Sequence, residues 1–236
     1  MLSTSSPLLV LDTGSPLVSV AVGRGGEVLA SRSVELSRSS RQLLPLIDEA
    51  LAEAGLRPRD LGGIAALRGP GSFTGLRIGL ATVLGLHQAL EVAATAVSTL
   101  HVLAASVLDE GTVIAAVDAL RGDWSAQAFT GAPLRYPSTE MELVAGGDLP
   151  RLAGGGPAVV VGFGVSRLGE LPGWPAEIAL LEAGPLAPAA VRLLASATVA
   201  GIEWEPDLLV DPLYSRPPAV TLPKRRTAPA PPSSII

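Results

Sequence analysis

An apolar run at residues 7–12 (PLLVLD) and two further strand-like segments at 17–22 (LVSVAV) and 27–35 (EVLASRSVE) follow one another with only residues 13–16 and 23–26 between them. Connections that short join neighbouring antiparallel strands, because a parallel return needs a dozen residues or more. Gly14, Gly23, Gly25 and Gly26 supply the turns. The chain therefore opens on a three-stranded antiparallel meander, and everything downstream has to pack against it.

The period then changes. Leu44, Ile47, Leu51 and Ala54 recur at helical spacing and predict a helix near 40–54. Ser39 or Ser40 is placed to cap it, Pro45 falls in its first turn, and Gly55 ends it. GIAALR (63–68) reads as a buried strand. A glycine turn follows, then a helix over 72–90, a strand over 92–97 and a helix near 99–108. A meander followed by alternating helices and parallel strands is the ribonuclease-H-like arrangement. The second half opens with paired strands, 112–129, around the turn Leu120-Arg121-Gly122-Asp123. Strands at 158–164 and 177–182 and a helix at 185–201 follow, whereas 131–156, rich in glycine and proline, reads as irregular. The expected organisation is an N-terminal subdomain over 1–108, a smaller one over 109–216, and a proline-rich tail over 217–236, disordered in isolation.

Composition removes several chemistries. There is no cysteine, so disulfides, thiolate zinc sites and cysteine nucleophiles are excluded. The only lysine, Lys224, lies in the tail, which excludes a Walker-A or Schiff-base lysine in the body. His87 and His101, the only histidines, are not spaced as a helical metal pair, and no metal site is expected. The net charge of −5 argues against a chain that grips RNA alone. The most apolar stretch, 78–97, is interrupted by His87, Gln88 and Glu91, so no membrane span is expected. The first residues lack the basic start of a signal peptide, and a cytoplasmic location is the expectation.

Two motifs remain. Asp12-Thr13-Gly14-Ser15 follows an apolar strand, as in the first phosphate loop of actin-like folds and in aspartic proteases. The protease needs a second Asp-Thr/Ser-Gly, which the chain lacks; Asp12 could also simply cap its own turn. The second motif is GPGSFTGLRIG, residues 69–79. Gly69, Pro70 and Gly71 make a sharp turn, Ser72 is a good N-cap, and Gly75 and Gly79 thin the helix so that another backbone can approach. Arg77 stands where a Walker-A loop would need lysine. An anion at this helix N-terminus stays open, and the pattern fits a fully buried core helix as well as a contact surface; the apolar helix behind the turn favours either over a phosphate loop.

LLVLDTGS, SVAV, RQLLPLIDEAL, GPGSFTGLRIG, VDALRGDWSAQAF and PLYSR (212–216) occur in the order seen in the TsaB (YeaZ) family, which the chain resembles from about Leu8 to Arg216. That resemblance implies an α/β, actin-like (ASKHA) fold of two ribonuclease-H-like subdomains. It implies a role in forming N6-threonylcarbamoyladenosine at position 37 of tRNAs reading codons that start with A. In that family the catalyst is TsaD, which carries the metal-binding histidine pair; TsaB pairs with it through two helices of the first subdomain. TsaE, an ATPase, joins them, and TsaB alone forms a homodimer. Implied here are a subunit with no catalytic residues, no cofactor of its own, tRNA bound only through the complex, and room for a nucleotide at the partner interface. The family's frequent His-Ser-Glu is replaced by Ser39-Ser40-Arg41, reversing the charge at the last position.

The expected partner contacts are Arg41, Leu43, Leu44, Ile47 and Leu51 on the first helix, and Phe73, Leu76, Arg77, Leu80 and Leu84 on the second, with the two arginines at the rim. The rival reading is an actin-like ATPase or small-molecule kinase. It would hold phosphates between Asp12–Ser15 and a second loop near Asp118–Gly122, with GVSRLGE (164–170) as a poor adenosine loop.

Overall fold

The computed structural model describes residues 3, 5–35 and 42–216. The meander forms as expected: β1 (Pro7–Asp12), β2 (Leu17–Arg24) and β3 (Glu27–Glu35) are antiparallel. β1 is apolar from Pro7 to Leu11 because both its faces are covered. Leu8 and Val10 point into one core and Leu9 and Leu11 into another. α1 (Leu43–Glu53) follows, then β4 (Gly63–Leu67), α2 (Phe73–Leu90) and β5 (Ala93–Val97). β4 runs parallel to β1 and β5 parallel to β4, so the sheet order is β3-β2-β1-β4-β5. Both helices cover the face bearing Leu9 and Leu11. The N-cap of α1 is Gln42, with no side-chain hydrogen bond; Ser39 and Ser40, expected as caps, and Arg41 lie outside the described residues, as does the tail from Pro217.

α3 (Thr99–Ala105) closes the first half. The second half holds β6 (Thr112–Asp118), β7 (Asp123–Thr130), β8 (Tyr136–Pro137), β9 (Glu142–Ala145), β10 (Ala158–Gly162) and β11 (Ile178–Glu182). β8 and β9 pair with β7, β10 lies parallel to β6, and β11 parallel to β10. The order β9-β7-β6-β10-β11 thus repeats that of the first sheet. The expectation of an irregular 131–156 is corrected: it contains β8, β9 and a 3-10 helix over Gly146–Ala153. Strands of two and four residues are too short to declare a period, and Pro150 inside the 3-10 turn hid it.

The last helix of each half crosses to the other. α3 packs on β6 and β7, and α4 (Ala187–Val199) packs on β1, β2 and β3. Leu100 and Leu103 of α3 and Val191 and Leu194 of α4 share one buried core with Val10, Val113 and Phe129. The approach of α4 is close: a Cβ on Gly23 would sit 2.3 Å from Val191 Cγ1, and Ser19 Oγ accepts the Ala187 N–H at 3.0 Å. Beyond α4 the chain returns over the first half, where a 3-10 turn at Pro206–Val210 packs on β5 and α2 with Leu209 buried. Among the described residues, no helix is long and apolar enough to cross a membrane.

Candidate functional site

The two sequence motifs meet. Asp12 ends β1 with no exposed surface. Its Oδ1 accepts the N–H groups of Gly14 (3.1 Å) and Ser15 (3.2 Å), so the carboxylate caps its own turn. Among the described residues, its Oδ2 has no partner. Burial pushes the carboxyl up to about 6, against the pull of the hydrogen bonds from Ser15 and Gly14. The Thr13 hydroxyl donates to Gly75 O at 2.7 Å, and the Ser72 N–H donates to Gly14 O at 2.8 Å. A Cβ on Gly75 would lie 1.9 Å from Thr13 O, one on Gly79 2.2 Å from Thr13 Oγ1, and one on Gly71 2.7 Å from Gly14 O. Gly75 and Gly79 thin the helix, and a second backbone does come close to it. The backbone they admit is the chain's own Asp12–Ser15 turn, which fills the groove. The Ser72 cap is present, its Oγ accepting the Gly75 N–H at 3.3 Å.

The other candidate phosphate elements are also engaged by the chain's own side chains. Asp118 Oδ1 accepts the Leu120 N–H at 2.7 Å, and its Oδ2 meets Arg167 at 2.6 Å. Glu182 takes the N–H groups of Gly164 and Ser166 in the GVSRLGE turn. Amides that would face a phosphate are thus occupied by the chain's own carboxylates. His87 Nδ1 lies 2.6 Å from Val92 O, and His101 Nε2 2.5 Å from Leu134 O, so each histidine ties its helix to a neighbouring segment.

The helix faces divide the expected contact residues. Leu43, Ile47, Leu51, Leu76 and Leu80 are buried side chains, and a side chain with almost no exposed surface cannot meet a partner unless the helix moves. Leu76 even packs on Gly14, within 2.6 Å of where a Cβ would stand. The structure leaves Leu44 (62% exposed), Phe73 and Arg77 on the surface, with Leu84 half-buried. The outer side of α2 is a ridge at four-residue spacing: Arg77, Ala81, Gly85 and Ala89, all exposed. Among the described residues, a Cβ on Gly85 meets nothing within 4 Å. The outward direction of this row was not legible in the sequence.

Sequence reasoning missed Tyr214 as part of this surface. The strap that follows the Pro206–Val210 turn holds to the glycine turn through Leu213 N–H to Arg68 O (2.7 Å) and Arg68 Nη1 to Asp211 (2.8 Å). It sets the Tyr214 ring 5.0 Å from that of Phe73. The only signal for it was the motif PLYSR.

The repeated sheet order, the exchanged helices and the paired strand-end turns define an α/β protein of the actin-like (ASKHA) fold, built from two ribonuclease-H-like subdomains. Comparison with known proteins narrows this. The family described as TsaD, tRNA N6-adenosine threonylcarbamoyltransferase, matches residues 34–131. The tRNA threonylcarbamoyladenosine biosynthesis protein TsaB of Escherichia coli is 34% identical over 119 residues, 49% of this chain and 52% of that protein. The chain spans about half the length of the curated relatives it matches. Among solved structures, a Pseudomonas aeruginosa protein described as uncharacterized with similarity to peptidase YeaZ superposes with a TM-score of 0.75 at 29% identity, covering 89% of this chain and all of that one. YeaZ from the same organism gives 0.73 at 28% identity, covering 86% and 97%. The resemblance to the TsaB (YeaZ) family is borne out.

Proposed function

We propose that this chain is a non-catalytic partner subunit in the formation of N6-threonylcarbamoyladenosine at position 37 of tRNAs reading codons that start with A. It docks a TsaD-like catalytic subunit, a TsaE-like ATPase joins the pair, and tRNA is met only through the assembled complex. Alone, the chain pairs with a second copy of itself. It takes no cofactor of its own, and any nucleotide sits at the interface with its partners.

The observation that carries this reading is the outer side of α2. A ridge of small side chains lies exposed there, flanked by exposed Phe73, while the turn behind it is sealed by the chain's own contacts. Small residues let a second backbone come close, and an apolar strip beside them supplies area to bury. The ATPase or kinase alternative would need the amides that Asp12, Asp118 and Glu182 engage.

Gly85→Arg and Ala81→Arg test the reading, because both positions face open surface. These variants should melt no lower than the parent, fail to co-purify with the TsaD-like subunit, and fail to restore the tRNA modification in cells depleted of this chain. Variants that fold and still co-purify undiminished would sink the assignment.

A further inference from the structure

We propose that Arg77 is the receptor for a carboxylate of the docked protein partner, and that Tyr214 is the positioning residue that holds it ready. This rests on the docking role of α2 proposed above and adds what the partner must present there.

Arg77 is exposed yet fixed in place. Its guanidinium carbon stands 3.9 Å above the Phe73 ring centroid, and its Nε donates to the Tyr214 hydroxyl at 3.3 Å. The Phe73 and Tyr214 rings pack at 5.0 Å, so the side chain is braced on two sides. Tyr214 is held in turn by the strap, through Asp211 to Arg68 and Leu213 to the Arg68 carbonyl. With Nε committed, the two terminal nitrogens remain as the fork, and among the described residues no carboxylate lies within ion-pair distance of them. The first turn of α2 contains no acidic residue to offset the helix dipole.

A guanidinium stacked and oriented in advance loses little freedom on binding, and its open fork matches a carboxylate with two parallel hydrogen bonds. The occupant is a protein carboxylate and not an RNA phosphate, for two reasons. The neighbouring surface, Phe73 and the small ridge, is apolar and suits a protein face. The chain's net charge of −5 repels a polyanion.

The test is titration calorimetry of the full chain against the TsaD-like transferase subunit of the same genome. Arg77→Ala should weaken binding about ten-fold or more, as truncation of an interface arginine does. Arg77→Lys should not restore it, because a point charge lacks the fork. Tyr214→Phe keeps the stack and loses the hydroxyl, and should weaken binding less than Tyr214→Ala. One Asp→Ala or Glu→Ala substitution in the transferase subunit should make Arg77→Ala silent, a coupling that a merely structural role would not produce. If the parent binds and the Arg77 and Tyr214 variants bind within two-fold of it, the inference falls while the docking role stands. If the parent itself does not bind, the docking role falls and takes the inference with it. If the variants weaken only tRNA binding by the assembled complex, the occupant is a phosphate and the inference is overturned.

Discussion

At the scale of single residues, Asp12 carries a measurable burden. A carboxyl raised to about 6 in the folded chain, from 3.8 when free, binds its proton more tightly folded than unfolded. Stability from this group is therefore fully present below pH 3.8 and is lost as pH rises through about 6. A shift of that size corresponds to about 3 kcal/mol. Asp12→Asn keeps the acceptor for Gly14 and Ser15 and removes the buried charge. Urea melts of this variant should show about 1–3 kcal/mol greater stability at pH 7 and a flatter profile between pH 4 and 6; a parent-like slope would refute the account. Two glycines of α2 make a second, opposed pair. Gly75→Ala drives a methyl into Thr13 O and should cost about 2–4 kcal/mol. Gly85→Ala meets only open space, and by restoring helix propensity should add about 1 kcal/mol, or 2–4 °C in melting temperature. Differential scanning calorimetry of the two variants reads both signs.

At the scale of elements, α2 shows where sequence reasoning ends. Its length and Ser72 cap were legible because a serine before a long apolar run is a local signal. Its orientation was not. Apolar or small residues surround the helix, with Ile78, Leu84 and Leu86 half-buried between the two faces, so no clean stripe marks the core side. What fixes the rotation is the interlock of Gly75 and Gly79 with Thr13, a contact made across more than sixty residues of chain. No window on the sequence can see it. The same blindness hid Tyr214, which gains meaning only when the strap lays it beside Phe73. The meander was legible for the opposite reason: its turns are four and two residues long, so proximity in sequence enforces proximity in space. The observed rotation has a consequence. Leu76→Glu places an unpaired carboxylate against Gly14 in the core and should unfold the chain, whereas Ala81→Arg should leave its circular dichroism and melting unchanged. Equal melting of the two would show that the rotation is wrong.

At the scale of the whole molecule, the exchange of α3 and α4 makes the two halves interdependent. A cut near residue 108 separates two sheets of the same order, yet each sheet depends on a helix from the other half. Without α4, the face of the first sheet bearing Val10 and Ala21 opens to water, and Leu100 and Leu103 of α3 lose the β6–β7 surface they cover. Buried Arg135 strengthens the tie, donating to the carbonyls of Val107, Asp109 and Gly111 just past the end of α3. Removing that much apolar burial exceeds what a domain's net stability can absorb, since native chains sit only about 5–15 kcal/mol above the unfolded state. A fragment of residues 5–108 should therefore aggregate, or show no cooperative melt. Residues 109–216 should behave likewise. Co-expressed, the two should recombine into a complex that elutes and melts near the parent, because the shared core needs proximity and not covalent continuity. A monomeric first fragment with a sharp transition near that of the full chain would mean that the α4 packing contributes little. The docking face proposed on α2 would then be free to function on the first half alone.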